Sequence, residues 1–373
     1  MFSFCFYVHS IPSIAPSMLA RGVRLAERRV LRVGGSGALK LLQGVVTNNV
    51  RQLGDPGAPP VYAAVLGTNG RVAHDVFFHR EMGESPSGGG LLLDLPSESF
   101  DDALKLLTKM RLRAAVTLDD AGDDFSVVAV GTDGGVERVS DESDTSTPST
   151  SASQNESQQQ HTHHLLSFLP PDPRSSVLGL RGILPKGVAE ALVEGNAESG
   201  VLHGDTSERA RDEKTASNLY KRFRYELGIG EGAELTGLLP LECNLNGLNA
   251  IAFDKGCYVG QELIARTHHT GVIRKRIVPI RSDDANDDDE TKELPKLFLP
   301  GSASTDNSSS KPPKSAGKVL CQSGHFGLAM VRLEHLTAVN GSSVRFGRFV
   351  ARDDGGNEKN VLAKTPQWWV SGW

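Results

Sequence analysis

The densest run of chemistry-bearing side chains lies at residues 254–276, D-K-G-C-Y-V-G-Q-E-L-I-A-R-T-H-H-T-G-V-I-R-K-R. Cys257 stands between Gly256 and Gly260, with Lys255 close by in sequence. The glycines let the backbone bend, or approach a ligand, with no side chain in the way. The pattern from Gln261 predicts a short helix stopped by Gly271, followed by a strand over 272–280. Cys257 then falls just before a helix N-terminus, and both the helix dipole and a lysine ammonium favour thiolate over thiol. Such settings lower a cysteine pKa from about 8.5 by one or more units. A thiolate is the reactive form of cysteine, a nucleophile and a metal ligand. The competing reading of the same residue is a small buried thiol, inert in a core. His268 and His269, one helix away, offer a cysteine–histidine nucleophile pair, though no third member or oxyanion hole is evident.

The elements that must position this stretch read as α+β. Apolar–charged alternation predicts a strand over 23–33, and a short helix follows over 38–44. Two strand-like runs, 61–66 and 72–78, are joined by Gly67-Thr68-Asn69-Gly70, a strong hairpin signal. A strand over 90–95 leads to an amphipathic helix over 97–109 with Phe100, Leu104 and Leu107 on one face. Strands over 112–118 and 125–130 follow, then a strand over 177–180 and helices over 185–194 and 207–227. In the last of these Leu219, Tyr220, Phe223 and Leu227 recur at helical spacing and read as core. Short strands over 318–321, 326–331, 343–346 and 367–370 suggest a small β-barrel or sandwich.

Two polar tracts interrupt the pattern, over 133–164 and 282–316. Ser, Thr, Gln, Asp and Glu dominate the first, so it buries too little apolar surface to offset the entropy of ordering and reads as a disordered insertion. The second, with its acidic run 287–290, reads as a surface loop. The histidines at 161, 163 and 164 are a solvated run in this reading.

Length and charge bound the rest. At 373 residues the chain is expected to hold two or three structural units. Its formal charge of −5 calls for no nucleic-acid partner. No apolar run approaches the roughly 20 residues that span a bilayer. Cys5, Cys243, Cys257 and Cys321 are widely spaced, neither a disulfide framework nor a zinc pattern, which fits a reducing compartment. Residues 1–20 lack acidic side chains and are followed by Arg21, Arg24, Arg28 and Arg29, as in an organelle transit segment.

K-G-C-Y-V-G-Q-E with A-R-T-H-H-T-G-V-I-R-K-R resembles the signature of the YgfZ-type iron–sulfur cluster assembly factors, in their mitochondrial branch. These are relatives of the glycine-cleavage T protein, a folate-dependent aminomethyltransferase. Leu42-Gln43-Gly44-Val45-Val46-Thr47-Asn48, Leu112-Arg113-Ala114-Ala115-Val116, Tyr225-Glu226-Leu227-Gly228-Ile229, Leu239-Pro240-Leu241-Glu242 and Gly327-Leu328-Ala329 resemble further family segments. The resemblance implies a T-protein-like α+β fold. An N-terminal portion over 21–132 and a central one over 165–276 interleave around a folate-type channel, and 277–373 form a C-terminal β-barrel. It implies a factor that, with A-type scaffold proteins, matures 4Fe–4S enzymes in the mitochondrial matrix and is a monomer alone. Cys257 and Lys255 would be the working groups, with Cys257 a ligand to a transient cluster shared with a partner and Cys243 a second thiol. Glu242 would contact the pterin of tetrahydrofolate, a carboxylate accepting the paired N–H donors of its pyrimidine edge. Tyr258, Arg266, Arg274 and Arg276 would complete the cofactor site, the arginines meeting an anionic tail. The alternative is a folate-dependent aminomethyltransferase. Against it, His74-Asp75 stands where those enzymes carry adjacent aspartates.

Overall fold

The computed structural model describes residues 22–81, 90–131, 169–198, 213–282, 295–300, 314–338, 343–353 and 355–369. The transit segment and the 133–164 tract expected from sequence lie outside the described residues.

The first portion is an antiparallel sheet built from β2 (Arg28–Gly34), β3 (Val61–Leu66), β4 (Val72–Arg80), β5 (Leu91–Pro96) and β6 (Thr117–Asp120), in the order β3-β4-β5-β2-β6. Every residue of β3 and β5 is buried, because both faces of this sheet are covered. Strand alternation sends Val61, Ala63, Val65, Val76, Phe78, Leu91, Leu93 and Leu95 to one face, where α1 (Ala38–Val45) and α2 (Phe100–Arg111) pack on them. The opposite face carries Tyr62, Asp75, Phe77, Asp94 and Arg28 into the middle of the molecule. The strand expected over 112–118 begins only at Thr117. Leu112 has φ +49° and is exposed, and the Ala115 carbonyl instead accepts the Gly37 N–H.

Across the middle stands a second sheet, β1 (Val23–Arg24), β7 (Phe125–Val130) and β8 (Leu180–Pro185), in the order β1-β7-β8, with α3 (Lys186–Glu198) behind it. Helix α4 (Glu213–Glu226) lays Tyr220 and Phe223 into the central core. Its far side meets the C-terminal barrel, whose strands are β9 (Lys275–Ser282), β10 (Lys296–Phe298), β11 (Gly317–Ser323), β12 (Phe326–Arg332), β14 (Arg345–Arg352) and β15 (Glu358–Lys364). They run β10-β11-β12-β9-β15-β14, and the β10–β14 pairing closes the ring; β13 (Thr337–Ala338) extends it beyond β14. Val278, Ile280, Leu297, Val319, Phe349 and Val361 fill the barrel.

Two barrel strands were illegible. β10 falls inside the tract read as an insertion over 282–316, yet Leu297 is fully buried and the strand closes the barrel. β15 offers only Val361 and Ala363 to the interior while its other residues are solvent-facing or half-buried, so its alternation is faint. The strand expected over 367–370 is a turn over the residues described there, with the Trp368 indole N–H donating to the Leu227 carbonyl. Among the described residues no helix is long and apolar enough to cross a membrane.

Candidate functional site

Residues 251–260 are neither helix nor strand, yet they are held closely. The Ala252 N–H donates to Thr47 O and the Val259 N–H to Gly44 O, at 3.1 and 3.2 Å. The Thr47 hydroxyl donates to Ala250 O and the Asn48 amide to Asn249 O, both at 2.6 Å. Lys255 completes the fastening, its Nζ donating to the carbonyls of Gln43, Val46 and Asn48. The Gln43–Asn48 segment at the end of α1 is therefore the seat of the Cys257 loop, two stretches some 200 residues apart forming one unit. Burial, then the charge of Arg51, lowers the Lys255 pKa to about 8, so it is still mainly ammonium at neutral pH.

The other wall of the loop is the β3–β4 hairpin. Helix α5 (Gln261–Thr270) starts from Gly260, whose φ is +79°; a Cβ there would lie 2.8 Å from both Gly67 O and Leu66 Cβ. Gly70, at φ +71°, would put a Cβ 2.9 Å from Leu263 Cβ. Two glycines thus let the helix start sit directly on the hairpin turn. Between them opens a cleft of about 1010 Å³, its volume continuous with solvent, lined by Thr68, Asn69, Cys257, Tyr258, Gln261 and Arg266 among others. Cys257 is exposed at this cleft. Tyr258 is half-buried beneath Lys255, whose Nζ lies 4.7 Å from the ring centroid, and burial pushes its hydroxyl up to about 12.

The middle of the molecule, between the two sheets, is packed with charge. Asp75, Asp94, Asp172, Glu231 and Glu234 face Arg28, Arg174, Arg181 and Arg224, and the four arginines are buried. Arg174 forks onto both oxygens of Asp172, at 3.0 and 2.7 Å, and also reaches Glu231 Oε2 at 2.7 Å. Burial opposes the charge of Glu231, but Arg181, Arg174, Arg224 and Arg28 overcome it and hold its carboxyl well below the usual range. Beside this network His79 is buried and its Nε2 has no partner among the described residues. Burial is the main reason its pKa falls to about 4. A histidine buried neutral gives stability that is present above the unfolded pKa of 6.5 and is lost as pH falls toward 4. At about 1.36 kcal/mol per pKa unit this amounts to about 3 kcal/mol. Urea unfolding of the wild-type chain should weaken across that window, and His79→Leu should flatten the dependence there.

A family described as "CAF17, C-terminal beta-barrel domain" matches residues 274–371. The aminomethyltransferase T of the Bartonella henselae glycine cleavage system shares the fold, with a TM-score of 0.58 at 13% identity over 95% of this chain and 89% of that one. The mouse protein named "Iron-sulfur cluster assembly factor IBA57, mitochondrial" is 31% identical over 93% of this chain and 84% of its own length. A homologue of that name from Neosartorya fischeri is 30% identical over 88% of this chain and 73% of its length. The chain belongs to the IBA57 family. A Mycosarcoma maydis homologue is 36% identical over 69% of this chain, and the match spans 56% of the relative's length.

In this IBA57-family chain the structure brings together Cys257, Tyr258 and Arg266 of the residues singled out from sequence, with Lys255 packed on Tyr258, while Glu242, Arg274 and Arg276 lie outside the cleft lining. Lys255 turns its ammonium onto backbone carbonyls, so its part is to position the loop. Arg276 is buried and donates to Leu241 O, Asn244 Oδ1 and Asn246 Oδ1, a brace inside the fold where an anionic tail cannot meet it. Arg274 is exposed at the entry to β9, outside the cleft lining. Glu242 is half-buried, its pKa raised by burial against the opposing charges of Lys275 and Arg71; its main-chain carbonyl accepts the Ile277 N–H. The His268 ring stacks on Phe253 at 3.9 Å, and neither His268 nor His269 lines the Cys257 cleft, which removes the basis for a nucleophile dyad. Sequence reasoning missed Thr68–Gly70 as a cleft wall. The turn was legible, but its meeting with α5 was signalled only by the two glycines.

Lys255→Met should leave three carbonyls short of a donor and cost on the order of 2 kcal/mol. Hydrogen exchange should show the loss concentrated in the amides of Ala252 and Val259, with the barrel strands unaffected.

Proposed function

We propose that this chain assists iron–sulfur cluster assembly in the mitochondrial matrix, with Cys257 giving one thiolate to a cluster that a partner chain also holds. The observation that carries this reading is that Cys257 is the one exposed cysteine among the described residues, on a loop fastened from two sides. The names of the relatives point to the same process.

A single thiolate does not hold a cluster. Cys243 cannot be the second, because it is buried and burial, then the charge of Glu242, push its thiol far up. Cys321 is disfavoured in the same way, by burial and then Glu234. Among the described residues no three His, Cys, Asp or Glu side chains are grouped to hold a metal. In this reading the remaining ligands come from another protein, and an A-type scaffold that carries its own cysteines fits. The monomeric chain would join it, and 4Fe–4S enzymes would receive the product. Arg266 on the cleft wall offers positive charge to a cluster whose thiolates and sulfides leave it anionic.

The test is a titration of this chain plus an A-type scaffold with iron and sulfide, followed by visible absorption and by size. A chromophore that elutes with both proteins, and is lost with Cys257→Ser, is the expected result. A chromophore retained on the joint species by the serine variant would end the reading.

A further inference from the structure

We propose that the Phe77–Asp94 site between the two sheets does not take the pterin ring of a folate, because Arg181 occupies it and makes the contacts that suit such a ring. This is independent of the cluster reading. A pterin's pyrimidine edge presents amino and ring N–H groups about one carbon, the same planar fork as a guanidinium, and it suits a carboxylate beneath an aromatic face. The space between the two sheets has this recognition set, and the protein fills it itself. The Arg181 guanidinium lies 3.9 Å from the Phe77 ring centroid. Its Nε and Nη2 donate to Asp94 Oδ2 at 3.0 and 2.7 Å. Nη2 also donates to Glu231 Oε1 at 3.2 Å, and Nη1 to Tyr220 Oη and Glu231 Oε2 at 2.8 and 3.3 Å. Each nitrogen is engaged and the side chain is fully buried.

Its neighbours crowd the same ring, and the open cleft nearby, of about 990 Å³ and lined by Arg28, Tyr220, Arg224 and Glu231 among others, is not lined by Arg181, Phe77 or Asp94. Arg174 and Arg28 approach the same Phe77 ring, at 4.9 and 5.3 Å. Asp75, the carboxylate that shares a hairpin with His74, accepts from Arg28 and from the Gly232 N–H on Oδ1. His74 points to the other face of the sheet, where its ring pairs with the Ser99 hydroxyl. Glu242, the carboxylate expected to read the pterin, belongs to neither this cluster nor the Cys257 cleft. An entering ring would have to displace Arg181 and leave Asp94 and Glu231 short of a buried cation, which is strongly unfavourable.

Hydrogen exchange of the full-length chain with and without folinate, up to about 1 mM, tests this. No added protection, or protection confined to residues 67–71 and 257–266, is expected. Saturable protection of β4, β5 and β8 would overturn the proposal. In parallel, Arg181→Ala should vacate a guanidinium-shaped site, so that methylguanidinium raises the Tm of the variant and not of the wild type. A folded Arg181→Ala protein indifferent to methylguanidinium would count against the surrogate role. If the variant does not fold, the wild-type exchange result decides.

Discussion

Cys257→Ser should abolish function and leave the fold unchanged. In cells lacking the native protein, the serine variant should give aconitase activity no higher than an empty vector, while wild type restores it. The two halves of this expectation have separate causes. Cys257 is exposed and lies in no hydrophobic cluster, so exchange of sulfur for oxygen removes no buried packing. Surface changes of this kind stay within about 0.5 kcal/mol, and the Tm should not move measurably. The loss of function follows from ligand chemistry, since clusters are held by thiolates and a serine hydroxyl stays protonated at neutral pH. Normal aconitase activity with the serine variant at wild-type abundance would contradict the assignment. The Lys255→Met variant separates position from chemistry. It retains the thiol and loosens its seat, so it should lose part of the activity that Cys257→Ser loses entirely.

Asp94→Ala should be the most damaging single change in the interior. Asp94 is fully buried and accepts from Arg28 and Arg181 through its carboxylate, and from Arg28 again through its main-chain carbonyl. Removing one member of a buried ion pair leaves its partner charged and dry, at a cost of about 3–5 kcal/mol. Here two guanidiniums lose a partner at once. Differential scanning calorimetry should show a Tm lower by roughly 10 °C. The double variant Asp94→Leu with Arg181→Leu should recover part of the loss, because replacing a buried pair with apolar groups costs less than orphaning one charge. A double variant no more stable than Asp94→Ala would mean that the network, and not the pair, sets the energy. Glu231 adds an acid limit to the same region. Its carboxyl is held below the usual range, so its contribution is present above the unfolded pKa of about 4.3 and is lost as pH falls through the folded value. That window lies below the His79 window, and the two should appear as successive losses on acidification.

How far the sequence could be read depended on the range of the interaction. Cys257 and its glycines were legible because their chemistry is carried by residue type and close spacing, and the α5 helix because its stop is local. Continuous apolar runs marked β3 and β5, since a sheet covered on both faces is apolar throughout, and the turn after β3 marked β4. No such run marks β10 and β15, which are short or polar and owe their existence to closure of the barrel. The partner of Lys255 was equally out of reach. A lysine two residues before a cysteine suggests a charge acting on a thiol, and only the chain's return to residues 43–48 turns that ammonium away.

The sequence by itself determined the α+β class, the hairpin, the cysteine loop and the likeness that proved to be the family, because propensity, turn chemistry and an eight-residue motif are local properties. Tertiary structure alone decided which thiol is open, that Arg276 is buried, and that four guanidiniums stand between the sheets. Burial and ion pairing join residues such as Arg28, Asp94, Arg181 and Glu231 across long stretches of chain, and their energies depend on distance and desolvation, which no spacing along a sequence encodes.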